Sequence, residues 1–231
     1  MQKITNDDLT LVLDSSSAPL MAAVFSEGKV YHATKDGIKQ EELLFPLLNR
    51  LYKKAGKKFK DTKNFFFIKG PGRFTGIRIG VTLASVLAEI NGTNIASADI
   101  FNVLGPAVLG SADFKKWHTK NPKGKAVIIL PAFREEYFVS FIGTNIPKWL
   151  NIEDLNKELS AQKVPLFLAG WAGAKEQLKK YFGKNYTYSK VNFLTPEILF
   201  AAAKKYLGTQ TKEEVLTPLY LKPARFELCG K

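Results

Sequence analysis

The sequence predicts an α/β protein built as two halves of similar design. Three observations predict it. Short apolar runs separated by turns open the chain, a strand–glycine–helix unit follows a leucine-rich helix, and strand signals restart after Gly124. At 231 residues, 45% of them hydrophobic, the chain can bury one large core or two small ones.

Leu9 to Asp14 reads as an apolar strand ending on an acid. Ser15-Ser16-Ser17-Ala18-Pro19 is a polar turn, Leu20 to Phe25 a second strand, and Glu27-Gly28 a hairpin turn into Lys29 to Thr34. Gln40 to Lys54 places Leu43, Leu44, Leu47, Leu48 and Leu51 at helical spacing, with Pro46 expected in its first turns and Gly56 as the stop. Asn64 to Lys69 is a buried strand. The run Gly70-Pro71-Gly72-Arg73-Phe74-Thr75-Gly76-Ile77-Arg78-Ile79-Gly80 then leads into Val81 to Ile90, which reads as a helix. Asn94 to Ala96 is a short strand, and Ser97 or Asp99 caps a helix to Leu104, where Gly105-Pro106 breaks it. The first half reads β-β-β-α-β-α-β-α.

Gly110 to Gly124 reads as a polar connection. Strands follow at Lys125 to Pro131, Tyr137 to Ile142 and Asn145 to Leu150, then a short helix at Glu153 to Leu159. Pro165 to Ala169 is a strand running into Gly170-Trp171-Ala172-Gly173, with Ala174 to Phe182 helical. Thr195-Pro196-Glu197 starts a helix that stops at Gly208, and Leu216 to Lys222 is an extended tail.

From Gly72 every fourth residue is small: Gly72, Gly76, Gly80, Ala84, Ala88. Residues i and i+4 share a helix face, so another backbone could approach that face closely. The segment therefore serves either a phosphate or a protein partner. A P-loop needs Lys followed by Ser or Thr, where this chain has Ile77 and Arg78. A dinucleotide fingerprint needs a glycine spacing that Gly70, Gly72 and Gly76 do not give.

Asp14 with Ser15, Ser16 and Ser17 could hold Mg²⁺ and phosphate, or could be an ordinary polar turn; the turn alone favours the latter. Gly170 to Ala174 could lie against an adenosine or let a helix pack on the sheet. There is no nucleophile–base pair, and His32 and His118, the only 2 histidines, have no ligand spacing. The single Cys229 excludes an internal disulfide. No leader and no run of about 18 apolar residues is visible, so the expected compartment is the cytoplasm. Net charge is +13, from 34 basic and 21 acidic residues. It reads as a solubility device, or as a footprint for a polyanion such as RNA at clusters like Lys57-Lys58-Lys60.

Leu11-Val12-Leu13-Asp14-Ser15-Ser16, the leucine helix with Leu44-Phe45-Pro46, and the Gly70–Gly80 run together resemble the bacterial TsaB (YeaZ) family. The glycine run matches that family's G-P-G-S-F-T-G-[IV]-R-I-G hallmark everywhere except Arg73, where serine is usual. Looser similarity covers Pro131 to Tyr137, Gly170 to Ala174 and Pro218 to Leu221.

The resemblance implies a two-lobed fold of the actin, sugar kinase and Hsp70 superfamily, each lobe a mixed five-stranded sheet with helices. The lobes would be 1–104 and 105–231, the tail returning to the first. It implies a non-catalytic subunit of the machinery that makes threonylcarbamoyladenosine at position 37 of ANN-decoding tRNAs. The partners implied are the catalytic paralogue TsaD, the ATPase TsaE, a second copy of the chain, and tRNA through the complex.

Partner binding would use the helices at Gln40–Lys54 and Thr75–Ile90. The residues expected there are Leu44, Leu47, Leu48, Leu51, Gly72, Thr75, Gly76, Ile79, Gly80, Leu83 and Ala84, with Gly76→Leu expected to break the complex and leave the fold intact. Asp14, Ser15, Ser16, Gly170 and Gly173 would form a vestigial site taking ATP or ADP with Mg²⁺ weakly; no cofactor or metal is required. The rival reading is a stand-alone Mg-nucleotide ATPase or phosphotransferase using Asp14. Gln40, where many relatives have histidine, and Pro131 and Phe133, where an Asp-Ala-Arg turn is usual, depart from the family pattern.

Overall fold

The computed structural model describes residues 5, 7–37, 39–132, 134–144, 146–170, 186–189 and 194–222. The chain divides into two compact units, residues 1–100 with 195–220, and residues 101–194 with 221–231.

The first unit is a five-stranded sheet in the order β3-β2-β1-β4-β5. Its strands are β1 (Thr10–Asp14), β2 (Leu20–Ser26), β3 (Lys29–Lys35), β4 (Asn64–Ile68) and β5 (Asn94–Ala98). The first three run antiparallel, and β4 and β5 join parallel to β1. One face is covered by α1 (Gln40–Ala55) and α2 (Phe74–Asn91), whose Leu44, Leu47, Leu48, Leu51, Leu83, Ala84 and Leu87 bury against Leu11, Leu13, Ala22, Val24, Phe65 and Phe67. The other face is covered by α6 (Pro196–Tyr206), with Phe200 stacked on Phe25 and Tyr206 on Phe66.

Thr195 caps α6 as its sequence predicts, its hydroxyl accepting from the Ile198 N–H. The helix start was legible; α7 (Lys212–Leu216) was not expected at all. A capping box between Thr211 and Glu214 starts it, and Val215 anchors it in the core of the first unit.

One local expectation is corrected here. Helix α2 starts at Phe74, so Gly76 and Gly80 lie inside it. Each interior glycine weakens a helix by about 1 kcal/mol, and the close approaches described below account for their presence. Pro46 sits in the second turn of α1, where the neighbouring buried leucines hold the helix across the missing N–H.

The second unit repeats the topology. Its strands are β6 (Lys125–Pro131), β7 (Glu136–Phe141), β8 (Lys148–Asn151), β9 (Leu166–Gly170) and β10 (Thr187–Tyr188), in the order β10-β9-β6-β7-β8. Helix α5 (Ile152–Ser160) buries Leu155 and Leu159 against Val127, Ile129, Tyr137 and Val139. Helix α3 (Ile100–Gly110) runs straight through Gly105-Pro106, which is no break. Val103, Leu104 and Val108 are buried, and their packing outweighs the bond that Pro106 cannot make.

The presumed irregular connection holds α4 (Ala112–Lys120), capped by Ser111 accepting from the Phe114 N–H. Phe114 and Trp117 pack on Phe167 of β9. No helix among the described residues is long and apolar enough to cross a membrane.

Candidate protein-docking face and the turn behind it

The turn after β1 and the glycine run are fastened to each other. Asp14 is buried, and both its carboxylate oxygens are used locally. Oδ1 accepts from the Ser16 N–H at 2.9 Å and the Ser16 hydroxyl at 2.7 Å, and Oδ2 accepts from the Ser17 hydroxyl. Burial pushes the Asp14 carboxyl above its ordinary value, against the hydrogen bonds of Ser17 and Ser16, which pull it down. Ser15 donates its hydroxyl to the Gly76 carbonyl at 2.7 Å, and the Arg73 N–H donates to the Ser16 carbonyl at 2.7 Å. Gln40, first residue of α1, donates from Nε2 to the Ser17 carbonyl at 2.6 Å.

The glycines make this possible. A Cβ on Gly72 would overlap the Ser16 carbonyl, and one on Gly76 would overlap the Ser15 carbonyl and lie 2.7 Å from Gln40 Oε1. A Cβ on Gly80 would lie 2.8 Å from the Phe67 ring. Ala84 is fully buried in the core. The small-residue row therefore faces inward, onto the protein's own turn and sheet, and clears no space for a partner helix. Leu44, Leu47, Leu48, Leu51, Leu83 and Gly76 are likewise buried. A helix offers a partner the side it does not bury, so these residues cannot form the contact face that the spacing suggested.

Of the residues expected to meet a partner, Thr75 is exposed and Ile79 half-buried. The exposed row on α2 is offset by two residues: Phe74, Arg78, Thr82, Val86 and Ile90. Phe74 is 52% exposed, Val86 43% and Ile90 77%, and on α1 Phe45 is 58% exposed. Sequence reasoning missed these residues. The signal was present, because Ile90 and Val86 fall opposite the buried face, where an amphipathic helix ordinarily places polar groups.

Gly170 ends β9, and a Cβ there would overlap the carbonyl of its strand neighbour Ile129. Gly173, Phe133 and the helix expected at 174–182 lie outside the described residues. Pro131 ends β6 opposite Tyr137. Among the described residues no cluster of three His, Cys, Asp or Glu could hold a metal ion. Of the basic clusters, Lys57 is paired with Glu27 at 2.5 Å and Lys204 lies over the Phe200 ring, while Lys58 and Lys60 are exposed.

Residues 20–96, from β2 to β5, match the family model described as TsaD: tRNA N6-adenosine threonylcarbamoyltransferase. The chain is 25% identical over 211 residues to the "tRNA threonylcarbamoyladenosine biosynthesis protein TsaB" of Buchnera aphidicola subsp. Schizaphis graminum, covering 86% of this chain and 96% of that protein. By sequence the chain is similar to the TsaB (YeaZ) family. Its fold is that of solved relatives. YeaZ from Pseudomonas aeruginosa matches with a TM-score of 0.62 at 18% identity, over 93% of this chain and all (100%) of that one. A second structure, of an uncharacterized protein with similarity to peptidase YEAZ from the same organism, matches with a TM-score of 0.64 at 19% identity over the same shares, 93% and 100%.

The two mixed five-stranded sheets are the pair expected of the actin, sugar kinase and Hsp70 type of fold. Arg73 stands at the N-cap of α2, makes no side-chain cap bond, and donates from its guanidinium to the Gly37 carbonyl at 3.3 Å.

Proposed function

We propose that the chain works in the biosynthesis of threonylcarbamoyladenosine in tRNA as a non-catalytic subunit. It docks a TsaD-like catalytic paralogue through the outward faces of α1 and α2. The name of the Buchnera relative and the description of the matching family model support the pathway. The observation that carries the docking role is the exposed row on α2, with Val86 and Ile90 open to solvent on a helix whose opposite side is locked to the sheet. Large apolar side chains left exposed on one helix face mark a contact surface.

The rival reading, a Mg-nucleotide enzyme using Asp14, asks that carboxylate to face a metal-bound water. Both of its oxygens are instead engaged by Ser16 and Ser17 in a buried turn, which favours the docking reading. The test is co-purification with the TsaD-like paralogue from the same cell. Val86→Glu with Ile90→Glu should abolish the complex and leave the isolated protein's melting temperature unchanged. Undiminished co-purification would overturn the reading.

A further inference from the structure

The exposed row of α2 continues onto a second segment of the chain. Residues 217–220, which follow α7, pass beside the glycine run: the Leu219 N–H donates to the Lys69 carbonyl at 2.8 Å. Gly70 leaves room for the Leu219 carbonyl, which a Cβ at that position would strike. Lys69 fixes the segment's origin, donating from Nζ to the Glu214 carbonyl at 2.7 Å. So held, the strap lays Tyr220 on Phe74, ring centroids 4.9 Å apart and planes 32° apart. On the same helix the Arg78 guanidinium lies 5.4 Å from the centre of the Phe74 ring.

Phe74 and Tyr220 touch, yet Tyr220 is still 43% exposed, so the pair has an open side. Among the described residues no ion pair neutralises Arg78, and the first turn of α2 holds no acid.

We infer that Tyr220, Phe74 and Arg78 form an anchor that extends the α2 docking face and receives an apolar surface of the protein partner bearing a carboxylate. The inference rests on the docking role proposed for α2 and adds to it a site that α1 and α2 alone would not supply. Aromatic rings and arginine are the side chains most often found to dominate protein interfaces: the rings bury large area with few rotors, and arginine presents a planar fork of donors. A guanidinium held over a ring is pre-oriented, which reduces the ordering that a carboxylate partner must impose. The continuity of the row through Arg78 to Thr82 and Val86 argues for one surface.

The experiment is a binding titration of the full-length protein with its TsaD-like paralogue. Tyr220→Ala and Arg78→Glu should each weaken the pair on the order of tenfold to a hundredfold, while Tyr220→Phe keeps wild-type affinity. Tyr220→Ala and Phe74→Ala combined should weaken it less than the product of the two, because they share one contact. Arg78→Glu lies on an exposed helix position and reads the anchor independently of how the strap packs.

If Val86→Glu weakens binding while Tyr220→Ala and Arg78→Glu do not, the anchor is overturned and the docking role of α2 stands. If none of the three weakens it, both fall. If Tyr220→Ala spares the protein pair and lowers the affinity of the assembled complex for tRNA, the aromatic cluster is an RNA platform and the inference is overturned.

Discussion

The two sheets of this chain have one topology and differ in the turn that follows their first strand. In the first unit, the turn Ser15–Pro19 carries buried Ser15 and Ser16, follows directly on the buried Asp14 that ends β1, and is closed over by Gly72 and Gly76. In the second, the corresponding turn between β6 and β7 holds exposed Arg134 and Glu135, with Arg134 at a φ of 59°, and Ala132 bonded to Glu136. The same strand order thus supports a turn that is part of the core and a turn that is solvated. Topology fixes where a loop emerges, and what the loop does depends on what its residues find to bond with. The first turn is satisfied from within the fold, which leaves the first unit's unspent surface on α1 and α2.

That contrast can be broken most sharply with glycines. Gly76→Ala should destabilise the protein by about 3 kcal/mol or more in denaturant unfolding, because its Cβ would strike the Ser15 backbone and Gln40. This is the opposite of what a partner-facing glycine would do, since such a variant would fold normally and fail only in the complex.

A smaller effect is expected from Asp14→Asn. The folded carboxyl is raised above its ordinary 3.8, so its contribution to stability is complete at acid pH and is lost as pH rises from about that value through the folded-state pKa. The difference in melting temperature between wild type and Asp14→Asn should therefore shift toward the variant as pH rises across this window. A constant difference would mean that Asp14 is ionised at no net cost.

The second unit should be more forgiving. Arg134→Gly removes a side chain from a left-handed backbone position and should leave stability unchanged or raise it by up to about 1 kcal/mol. Gly110→Ala, at the end of α3 with open space around its Cβ, should stabilise by about 0.5 kcal/mol.

Much of the succession of strands and several helix ends were legible, because short apolar runs bounded by turns, Gly56 and Thr195-Pro196 carry local signals. Missed elements had weaker ones. Helix α4 depends on Ser111 and a single buried Phe114, and α7 is a one-turn element fixed by Thr211 and Glu214. Gly105-Pro106 misled because local breakers lose to the burial of the residues around them. The central misreading was of direction. A row of small residues at every fourth position predicts a close approach without saying which backbone approaches. Here it is the chain's own Ser15 and Ser16, brought beside α2 by the parallel pairing of β1 with β4.

The account's central claim is that α2 faces its partner with Val86 and Ile90 and its own core with Gly76 and Gly80. The most direct test compares Val86→Glu/Ile90→Glu with Gly76→Ala, measuring thermal stability of the isolated protein and co-purification with the TsaD-like paralogue. The account predicts that the glutamate variant melts like wild type and loses the partner, while the alanine variant melts early. A glutamate variant that keeps the partner, or an alanine variant that keeps its stability and loses the partner, would contradict it.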